Sequence, residues 1–335
     1  MPLPSPHRRP AQLGDAGATE PGDLEGSLAR HSADELVAAL GLGRAPAPAR
    51  AMARAAFTAV SAPLGRALAR FDGRIETCGL AAAAAYMLDD LGARWTRLGE
   101  RPPVRGPLLV VANHPGAYDA LVLFATLERD DVAIVASDRK FLRAMPRLRR
   151  HLVFVPEAPS GAGLGRAIGL RRALAHLAAG GALLHFGAGC IEPDPAFVAE
   201  GAAPFEPWQS GTGALVRGAA GSAGAVVPAV VLGVHSPRAK RLFVTRLAER
   251  HGLTTLAALL QVAIPRYRDV EAIVRFGDAL PTRQLALGGS DAQVAGKVRD
   301  AALALWSLQA PTRGRPSSSV PERATKRVDR AGPGR

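Results

Sequence analysis

The sequence has few of the residues on which several protein classes depend. Its 335 residues include two cysteines, Cys78 and Cys190, which lie far apart and imply no disulfide framework, so a reducing compartment is expected. No run approaches the roughly 18 apolar residues that a transmembrane helix needs. Aromatic residues make up 5% and form no stacking pattern, which argues against a nucleic-acid partner. The histidines are scattered without ligand spacing, so neither a metal site nor a bound cofactor is predicted.

Basic residues are abundant, and almost all of them are arginine. Lysine and arginine together number 42 against 29 acidic residues, a net charge of +13, and the only lysines are Lys140, Lys240, Lys297 and Lys326. Part of this excess reflects the composition that GC-rich codon usage produces, and the rest favours an anionic partner such as a membrane surface. The N-terminus lacks the apolar region of a secretory signal. We therefore expect a cytoplasmic protein, peripheral on the cytoplasmic face of the membrane.

Composition divides the chain into four segments. Residues 1–30 and 311–335 are polar and rich in Pro and Gly, and we expect both to be disordered, the second as a basic tail. Residues 31–97 are predicted to be helical, with a kink at Pro63, and residues 98–310 to form the main domain. Arginines alternate with apolar residues in the helical segment. Such a helix either packs against its own domain, which we favour, or lies on an anionic bilayer.

Short apolar runs alternate with helical stretches from residue 106 onward. This alternation predicts an α/β domain with a mixed, mostly parallel sheet flanked by helices. The apolar runs are continuous, as in strands that are covered on both faces. The later runs follow one another closely, so some antiparallel pairing is expected among them.

The stretch VVANHPGAYDALVLF, residues 110–124, places His114 and Asp119 between an apolar strand and a helix. On a straight helix of about 3.6 residues per turn the two side chains would point roughly 140° apart. The Pro-Gly pair between them can bend the chain so that they meet, with a helix beginning near Tyr118 or Asp119. Asp119 would then accept one imidazole N–H and leave the other nitrogen free to take a proton. The alternative is an ordinary turn in which Asp119 only caps the helix.

The segment NHPGAYDA resembles the first motif, N-H-x4-D, of the glycerolipid acyltransferases, the family of the bacterial 1-acylglycerol-3-phosphate acyltransferases. Three further blocks stand in the family's order, HLVFVPE, HFGAGCIEPDP and AVVPAVVLGV, at residues 151–157, 185–195 and 225–234. The resemblance implies that fold and the transfer of an acyl group from acyl-CoA or acyl carrier protein, as co-substrate, to a lipid acceptor such as lysophosphatidic acid. His114 would be the general base, Asp119 would orient it, and no acyl-enzyme would form.

The second block departs from the family at the position that holds the acceptor phosphate. Glu157 stands where the family has an Arg, and a carboxylate cannot hold a phosphate. Either the acceptor lacks a phosphate or another arginine supplies the contact, the nearby ones being Arg149, Arg150, Arg166, Arg171 and Arg172. We select Arg171 and Arg172 as candidates for substrate binding, although each can equally be part of a solvated helix face.

The third block lacks the family's Pro and Glu. Gly187 and Gly189 remain, and their N–H groups could act as oxyanion or phosphate donors. Glu192 either replaces the missing carboxylate or caps the loop. Asn113 of the first motif completes the predicted substrate-binding residues. We expect His185 to be a buried structural residue rather than a second base.

The segment SDRKFLRAMPRLRR, residues 137–150, carries six basic residues among apolar ones at near-helical spacing. In the family this region lies near the membrane and the acyl-donor entrance. The resemblance therefore implies a basic helix that contacts lipid headgroups or the phosphates of CoA. A solvated helix face is the alternative.

Three functions remain open from the sequence. The first is a membrane-peripheral acyltransferase of phospholipid synthesis. The second is an acyltransferase for a non-phosphate acceptor, such as an amino-lipid or a glycolipid, as Glu157 suggests. The third is a non-catalytic lipid-binding relative, which the loss of the carboxylate in FGAG would permit.

Overall fold

The computed structural model describes residues 21–156, 163–199, 201–221, 224–250, 256–287 and 289–308. The described part begins with three helices: α1 Pro21–Ala39, α2 Ala47–Cys78 and α3 Leu80–Asp90. Eight strands follow: β1 Arg94–Leu98, β2 Leu108–Ala112, β3 Val132–Ser137, β4 Leu152–Val155, β5 Ala182–Phe186, β6 Ala225–Leu232, β7 Glu271–Phe276 and β8 Leu280–Pro281. The helices between and after them are α4 Asp119–Leu127, α5 Lys140–Arg143, α6 Gly163–Ala178, α7 Ser210–Ala219, α8 Pro237–Arg241, α9 Phe243–Arg250, α10 Leu256–Ala263, α11 Thr282–Ala286 and α12 Asp291–Ser307.

The strands form one sheet in the order β1-β7-β6-β2-β5-β3-β4, with β8 paired to β6. β6 is antiparallel to both β7 and β8, and every other pairing is parallel. The predicted fold class, a mixed and mostly parallel sheet flanked by helices with an N-terminal helical segment, is confirmed. The expected antiparallel pairing of the later strands is also present.

Helices cover both faces of the sheet, and β2 shows the division. Its five residues are all completely buried, because alternate side chains enter two separate apolar cores. Leu108, Val110 and Ala112 face the core that α2, α3 and α4 complete. Leu109 and Val111 face the core that α6, α7 and α12 complete.

The predicted segment boundaries need two corrections. Helix α1 already begins at Pro21, so the predicted disordered segment 1–30 is wrong for its last ten residues; residues 1–20 and 311–335 lie outside the described part. Residues 94–97, which we assigned to the helical segment, form β1 together with Leu98 and pair with β7. The run RWTRL lacks the continuous apolar pattern of a buried strand because β1 is an edge strand that is partly exposed.

Helix α2 continues through Pro63 and packs against the domain along its second half. Phe71 and Ile75 are buried in the core, and Gly65 lets α1 approach, since a Cβ there would lie 2.6 Å from the carbonyl oxygen of Glu25. The packing that we favoured for this helix is therefore confirmed for that half. Within the described residues no helix has the length and apolarity to cross a membrane.

Candidate active site

The candidate site lies where β2 ends, between the ends of its two neighbours. β5 and β6 run parallel to β2 on either side, so the segments that follow all three strands emerge at one edge of the sheet. Open α/β sheets commonly bind ligands at this carboxyl edge. The segments after β2 and β5 carry six of the eight residues selected from the sequence: Asn113, His114, Asp119, Gly187, Gly189 and Glu192.

His114 and Asp119 meet in the turn that follows β2. Nδ1 of the imidazole lies 2.7 Å from Oδ2 of Asp119. The chain bends between them through two residues with positive φ, Gly116 at 82° and Ala117 at 54°, the second a conformation that a non-glycine residue rarely adopts. The predicted contact is confirmed, as is the start of α4 at Asp119.

Asp119 is fixed by its own hydrogen bonds. Its Oδ2 accepts the N–H of Gly116 at 2.7 Å, and its Oδ1 accepts the N–H of Ala120 at 2.6 Å. A carboxylate that already accepts these donors requires a proton on Nδ1 of His114. The imidazole therefore carries its lone pair on Nε2, which has no hydrogen-bond partner within the described residues.

The ring of His114 is partly buried, and neighbouring charges change its pKa. It stacks on Phe186 with ring centroids 4.0 Å apart and planes 14° apart, and the side chain remains 28% exposed. Burial acts to lower the pKa of His114, but the charge and hydrogen bond of Asp119 and the charge of Glu192 outweigh it. The pKa therefore lies above the ordinary value of 6.5, even though the charge of Arg139 opposes the rise.

Glu192 comes together with His114, although the two are 78 residues apart in sequence. Its Oε2 accepts the backbone N–H of His114 at 2.7 Å, and its Oε1 accepts that of Glu206 at 3.0 Å. The residue is 3% exposed, and burial raises the pKa of its carboxyl above the ordinary value although these bonds oppose the rise. Glu192 therefore holds the backbone of His114, whereas the sequence left its role open between a site carboxylate and a loop cap.

Asn113 requires a correction, because it cannot reach a substrate. It is completely buried, its amide Nδ2 donates to the carbonyl of Val231 at 2.9 Å, and its Oδ1 accepts the N–H of the same residue at 2.7 Å. The predicted substrate contact is replaced by a clamp that ties the segment after β2 to β6. These two hydrogen bonds fix the point at which the turn that carries His114 leaves β2.

Gly187 and Gly189 also require a correction. The N–H of Gly187 donates to the carbonyl of Ala112 at 3.0 Å, and that of Gly189 donates to Phe186 at 3.2 Å. Both predicted donors are therefore already used within the backbone. Close packing is the reason for a glycine at 187, since a Cβ there would overlap the indole of Trp208, while Gly189 adopts a φ of 67°.

The selected arginines are not brought to the site. Arg171 and Arg172 are exposed on α6, which packs on the opposite face of the sheet from α4. β4, which precedes α6, is the edge strand, separated from β2 by β5 and β3. Neither arginine contacts a residue of the site in the described structure, and Glu157 lies outside the described residues.

The basic segment 137–150 is not the predicted helix. Only Lys140–Arg143 is α-helical, because Pro146 disfavours the helical conformation in the residue before it and cannot donate the next helical hydrogen bond; Met145 and Leu148 are buried in the core. Its arginines pair with carboxylates: Nη2 of Arg143 lies 2.6 Å from Oδ2 of Asp138, and Nε of Arg147 lies 2.8 Å from Oε2 of Glu76. The sequence did not single out Arg139, whose charge acts to lower the pKa of His114.

Sequence reasoning also missed a buried pair beside the site. Oδ2 of Asp194 lies 3.2 Å from Nδ1 of His235, and Oδ1 accepts the N–H groups of Gly233 at 2.8 Å and Ala196 at 3.0 Å. Burial would raise the pKa of Asp194, but its hydrogen bonds and the charge of His235 lower it overall. The pair joins the loop after β5 to the segment after β6, and no local sequence pattern indicates it.

Two other titratable residues near the site have limited chemical roles. His185 lies 3.0 Å from the Thr212 hydroxyl, and burial lowers its pKa to about 4, so it is neutral and structural as predicted. Cys190 is exposed, but partial burial of its thiol and the charges of Glu192 and Glu206 raise the pKa of that thiol. The described residues contain no group of three or more His, Cys, Asp or Glu arranged to hold a metal.

No family model matches the chain, and no curated protein matches it. Among solved structures it is similar to the crystal structure of the 1-acyl-sn-glycerophosphate (LPA) acyltransferase PlsC from Thermotoga maritima. The TM-score is 0.40 and the sequence identity 17%, over 69% of this chain and 83% of that chain. A likeness at this identity and TM-score assigns no function to the chain. The functional proposal is therefore based on the geometry of the site.

Proposed function

We propose that the protein is an O-acyltransferase that moves a fatty acyl group from acyl-CoA or acyl carrier protein to the hydroxyl group of a lipid acceptor such as lysophosphatidic acid. One observation carries the proposal. Asp119 holds Nδ1 of His114 at 2.7 Å, while Nε2 has no partner within the described residues. An imidazole held in one tautomer at the carboxyl edge of a sheet is suited to act as a general base. The N-H-x4-D resemblance of the same residues supports acyl transfer as the reaction.

The proposed reaction uses the imidazole as a proton carrier. Nε2 of His114 takes the proton of the acceptor hydroxyl as the oxygen attacks the thioester carbonyl. The C–S bond then breaks, and the imidazolium returns the proton to the departing thiolate. Asp119 stabilises the imidazolium, which agrees with the raised pKa of His114.

The surroundings of the base favour direct transfer over an acyl-enzyme. No serine or cysteine hydroxyl or thiol hydrogen-bonds to His114 in the described part of the chain. Cys190 has a raised thiol pKa, which reduces the fraction of nucleophilic thiolate. A nucleophile would need activation by an adjacent base.

Arg139 supports a phosphate-bearing substrate. Its charge acts on the pKa of His114, and its side chain is 45% exposed although Nη1 also lies 3.5 Å from Oε2 of Glu35, so an anion beside the imidazole can share this guanidinium with Glu35. We assign it the role that sequence reasoning gave to Arg171 and Arg172. The phosphate belongs either to the acceptor or to CoA, and a pair of arginine variants separates these two sources.

The donor, the acceptor and the membrane are the proposed partners, and the proposed location is the cytoplasmic face of the membrane. A lipid acceptor is poorly soluble as a monomer, so the enzyme would meet it at a bilayer surface. The net charge of +13 favours an anionic surface. These assignments supplement the proposed chemistry and are tested separately.

The test is a transfer assay with purified protein. The donor would be either acyl-CoA or acylated acyl carrier protein, each with a labelled acyl group. Each donor would be paired with lysophosphatidic acid, glycerol 3-phosphate, lyso-ornithine lipid or a polyprenyl glycolipid as acceptor. We expect turnover with lysophosphatidic acid and a loss on the order of 10²–10⁴-fold or more in His114→Ala. Equal turnover in this variant would rule out the mechanism. Lipid binding without turnover on any acceptor would instead favour a non-catalytic lipid-binding relative.

A matched pair of arginine variants tests the phosphate contact. Arg139→Gln should raise the KM of a phosphate-bearing substrate, whereas Arg171→Gln should leave it unchanged. An effect with lysophosphatidic acid but not with lyso-ornithine lipid would identify the acceptor phosphate. An equal effect with both acceptors would identify the phosphates of CoA, and activity confined to non-phosphate acceptors would contradict the choice of lysophosphatidic acid.

A further inference from the structure

Helix α9 presents its apolar side chains to solvent. Phe243 is 78% exposed, Val244 54% and Leu247 42%. Thr245, by contrast, is completely buried. At about 3.6 residues per turn the three apolar residues lie on one side of the helix and Thr245 lies on the opposite side. A surface helix normally buries its apolar stripe, so α9 has the reverse orientation.

Positive charge accompanies this apolar face. Arg241 precedes the helix and Arg246 lies within it, and both are exposed. Neither guanidinium forms an ion pair or hydrogen bond within the described residues. We call Arg241, Phe243, Val244, Arg246 and Leu247 together the α9 surface.

The α9 surface is connected to the candidate active site. α8 follows the carboxyl end of β6, and the ammonium of Lys240 in α8 lies 5.7 Å from the ring centroid of Phe197. Phe197 belongs to the loop that carries Glu192 and is 38% exposed. Ile191 in the same loop is 45% exposed and lies against Gly116 in the turn after His114. Exposed apolar side chains therefore extend from the base toward α9.

We propose that the α9 surface docks on an anionic lipid bilayer. The three apolar side chains would enter the boundary between headgroups and acyl chains, while Arg241 and Arg246 would contact lipid phosphates or carboxylates. Docking in this orientation would bring the bilayer close to α8 and to the loop with Phe197 and Ile191, next to the turn that carries His114. The benefit of that orientation rests on the proposed function, whereas docking itself does not.

Charge complementarity favours a bilayer over another copy of this chain. A second copy would bring the same arginines to the contact, and like charges placed opposite one another disfavour association. An anionic surface complements them and also accepts the apolar face. The alternative partner is an acidic protein with an apolar groove. In that case the native chain would bind neither kind of vesicle.

The test measures partition of the full-length protein onto vesicles. Vesicles of phosphatidylcholine alone would be compared with a two-to-one mixture of phosphatidylcholine and phosphatidylserine. We expect preferential binding to the mixture that weakens with salt. Phe243→Ser with Leu247→Ser should lower the partition coefficient at least about tenfold. Arg241→Gln with Arg246→Gln should abolish most of the preference for phosphatidylserine, on the order of fivefold for each arginine.

Matched variants test whether the loss of any exposed apolar or basic side chain weakens vesicle binding. Leu287→Ser removes another exposed leucine, and Arg171→Gln with Arg172→Gln removes two exposed arginines from α6; both should bind vesicles as the native chain does. Binding should persist in His114→Ala, which separates docking from acyl transfer. The proposal is overturned if the α9 variants bind as tightly as the native chain, or if the native chain binds neither vesicle. A dimer that Phe243→Ser dissociates, without any vesicle binding, would assign the surface to self-association instead.

Discussion

Glu192 and His114 hold each other through two reciprocal hydrogen bonds. The carboxylate of Glu192 accepts the backbone N–H of His114 at 2.7 Å, and the backbone N–H of Glu192 donates to the carbonyl of His114, also at 2.7 Å. The loop after β5 therefore fixes the turn after β2 from the backbone, while Asp119 fixes the imidazole from its side chain. Together they set both the position and the tautomer of the His114 imidazole.

Glu192→Gln is expected to affect both the stability of the protein and the titration of His114. The amide can accept only one of the two backbone N–H groups that the carboxylate accepts, so the free energy of unfolding should fall by about 1–3 kcal/mol. Loss of the negative charge should also lower the pKa of His114. Urea denaturation and an NMR titration of the imidazole measure the two effects. Glu206→Gln is the control, because only its backbone takes part, and an equal effect there would contradict the account.

Asn113→Ala should destabilise the protein without removing any atom that a substrate can touch. The N–H and C=O groups of Val231 would lose their partners in a buried environment, at a cost of about 2–4 kcal/mol. Urea unfolding measures this free energy. Ser307→Ala, which removes an exposed hydroxyl, should change it little. A loss confined to substrate affinity, with unchanged stability, would restore the substrate-binding role predicted from the sequence.

Gly187→Ala should disrupt packing one residue away from Phe186, the ring that stacks on His114. The added methyl would overlap the indole of Trp208, which is 6% exposed and cannot withdraw into solvent, so we expect a cost of about 1–3 kcal/mol. Phe186, which stacks on His114, would shift with it and turnover should fall. Gly211→Ala, in helix α7 with open space around its Cβ, should be neutral or slightly stabilising. Equal thermal stability of the two variants would contradict this explanation.

Asp72 gives a prediction with a defined pH dependence. It is completely buried, and its Oδ1 accepts the N–H groups of Arg147 at 3.0 Å and Leu148 at 2.8 Å. Burial raises the pKa of Asp72 more than these bonds and the Arg147 charge lower it. Asp72→Asn keeps the acceptor oxygen and removes a costly charge, so it should unfold no more easily than the native chain at neutral pH, whereas Asp72→Ala should lose about 2 kcal/mol.

The sign of the pH effect at Asp72 follows from its raised pKa. The folded state binds this proton more tightly than the unfolded state, so the native chain gains stability relative to Asp72→Asn as pH falls from neutral through the raised pKa. The gain is complete only below the ordinary value of 3.8. Denaturation of both proteins across this range measures the difference. If acidification instead increased the free energy of unfolding of Asp72→Asn relative to that of the native chain, the result would contradict the raised pKa of Asp72.

The sequence was sufficient for the fold class and for the central pair of the site. Continuous apolar runs that alternate with helical stretches predict a parallel sheet covered on both faces. The Pro-Gly bend between His114 and Asp119 is visible in six consecutive residues. Strand β1 was missed because RWTRL lies at the sheet edge and needs no apolar run. Local patterns succeed where the contact itself is local.

The rest of the site depends on partners that are distant in sequence. Asn113 finds its partner 118 residues away on β6, and the N–H of Gly187 is taken by β2, so neither is available to a substrate. Arg171 and Arg172 follow the edge strand β4, a position that strand order alone decides. Periodicity and spacing contain no information about these pairings, and so the substrate-binding residues could not be chosen from the sequence.

The central claim is that His114 acts as a base whose proton affinity and orientation Asp119 sets. The most direct measurement is the pH dependence of kcat/KM for acyl transfer, compared between the native chain and Asp119→Asn. The native rate should fall on acidification with an apparent pKa above 6.5, because the imidazole must be unprotonated to accept the hydroxyl proton. In Asp119→Asn the rate should drop on the order of 10²–10⁴-fold and the acidic limb should move to lower pH, since burial then dominates. An unchanged rate, or an acidic limb that stays in place, would contradict the account.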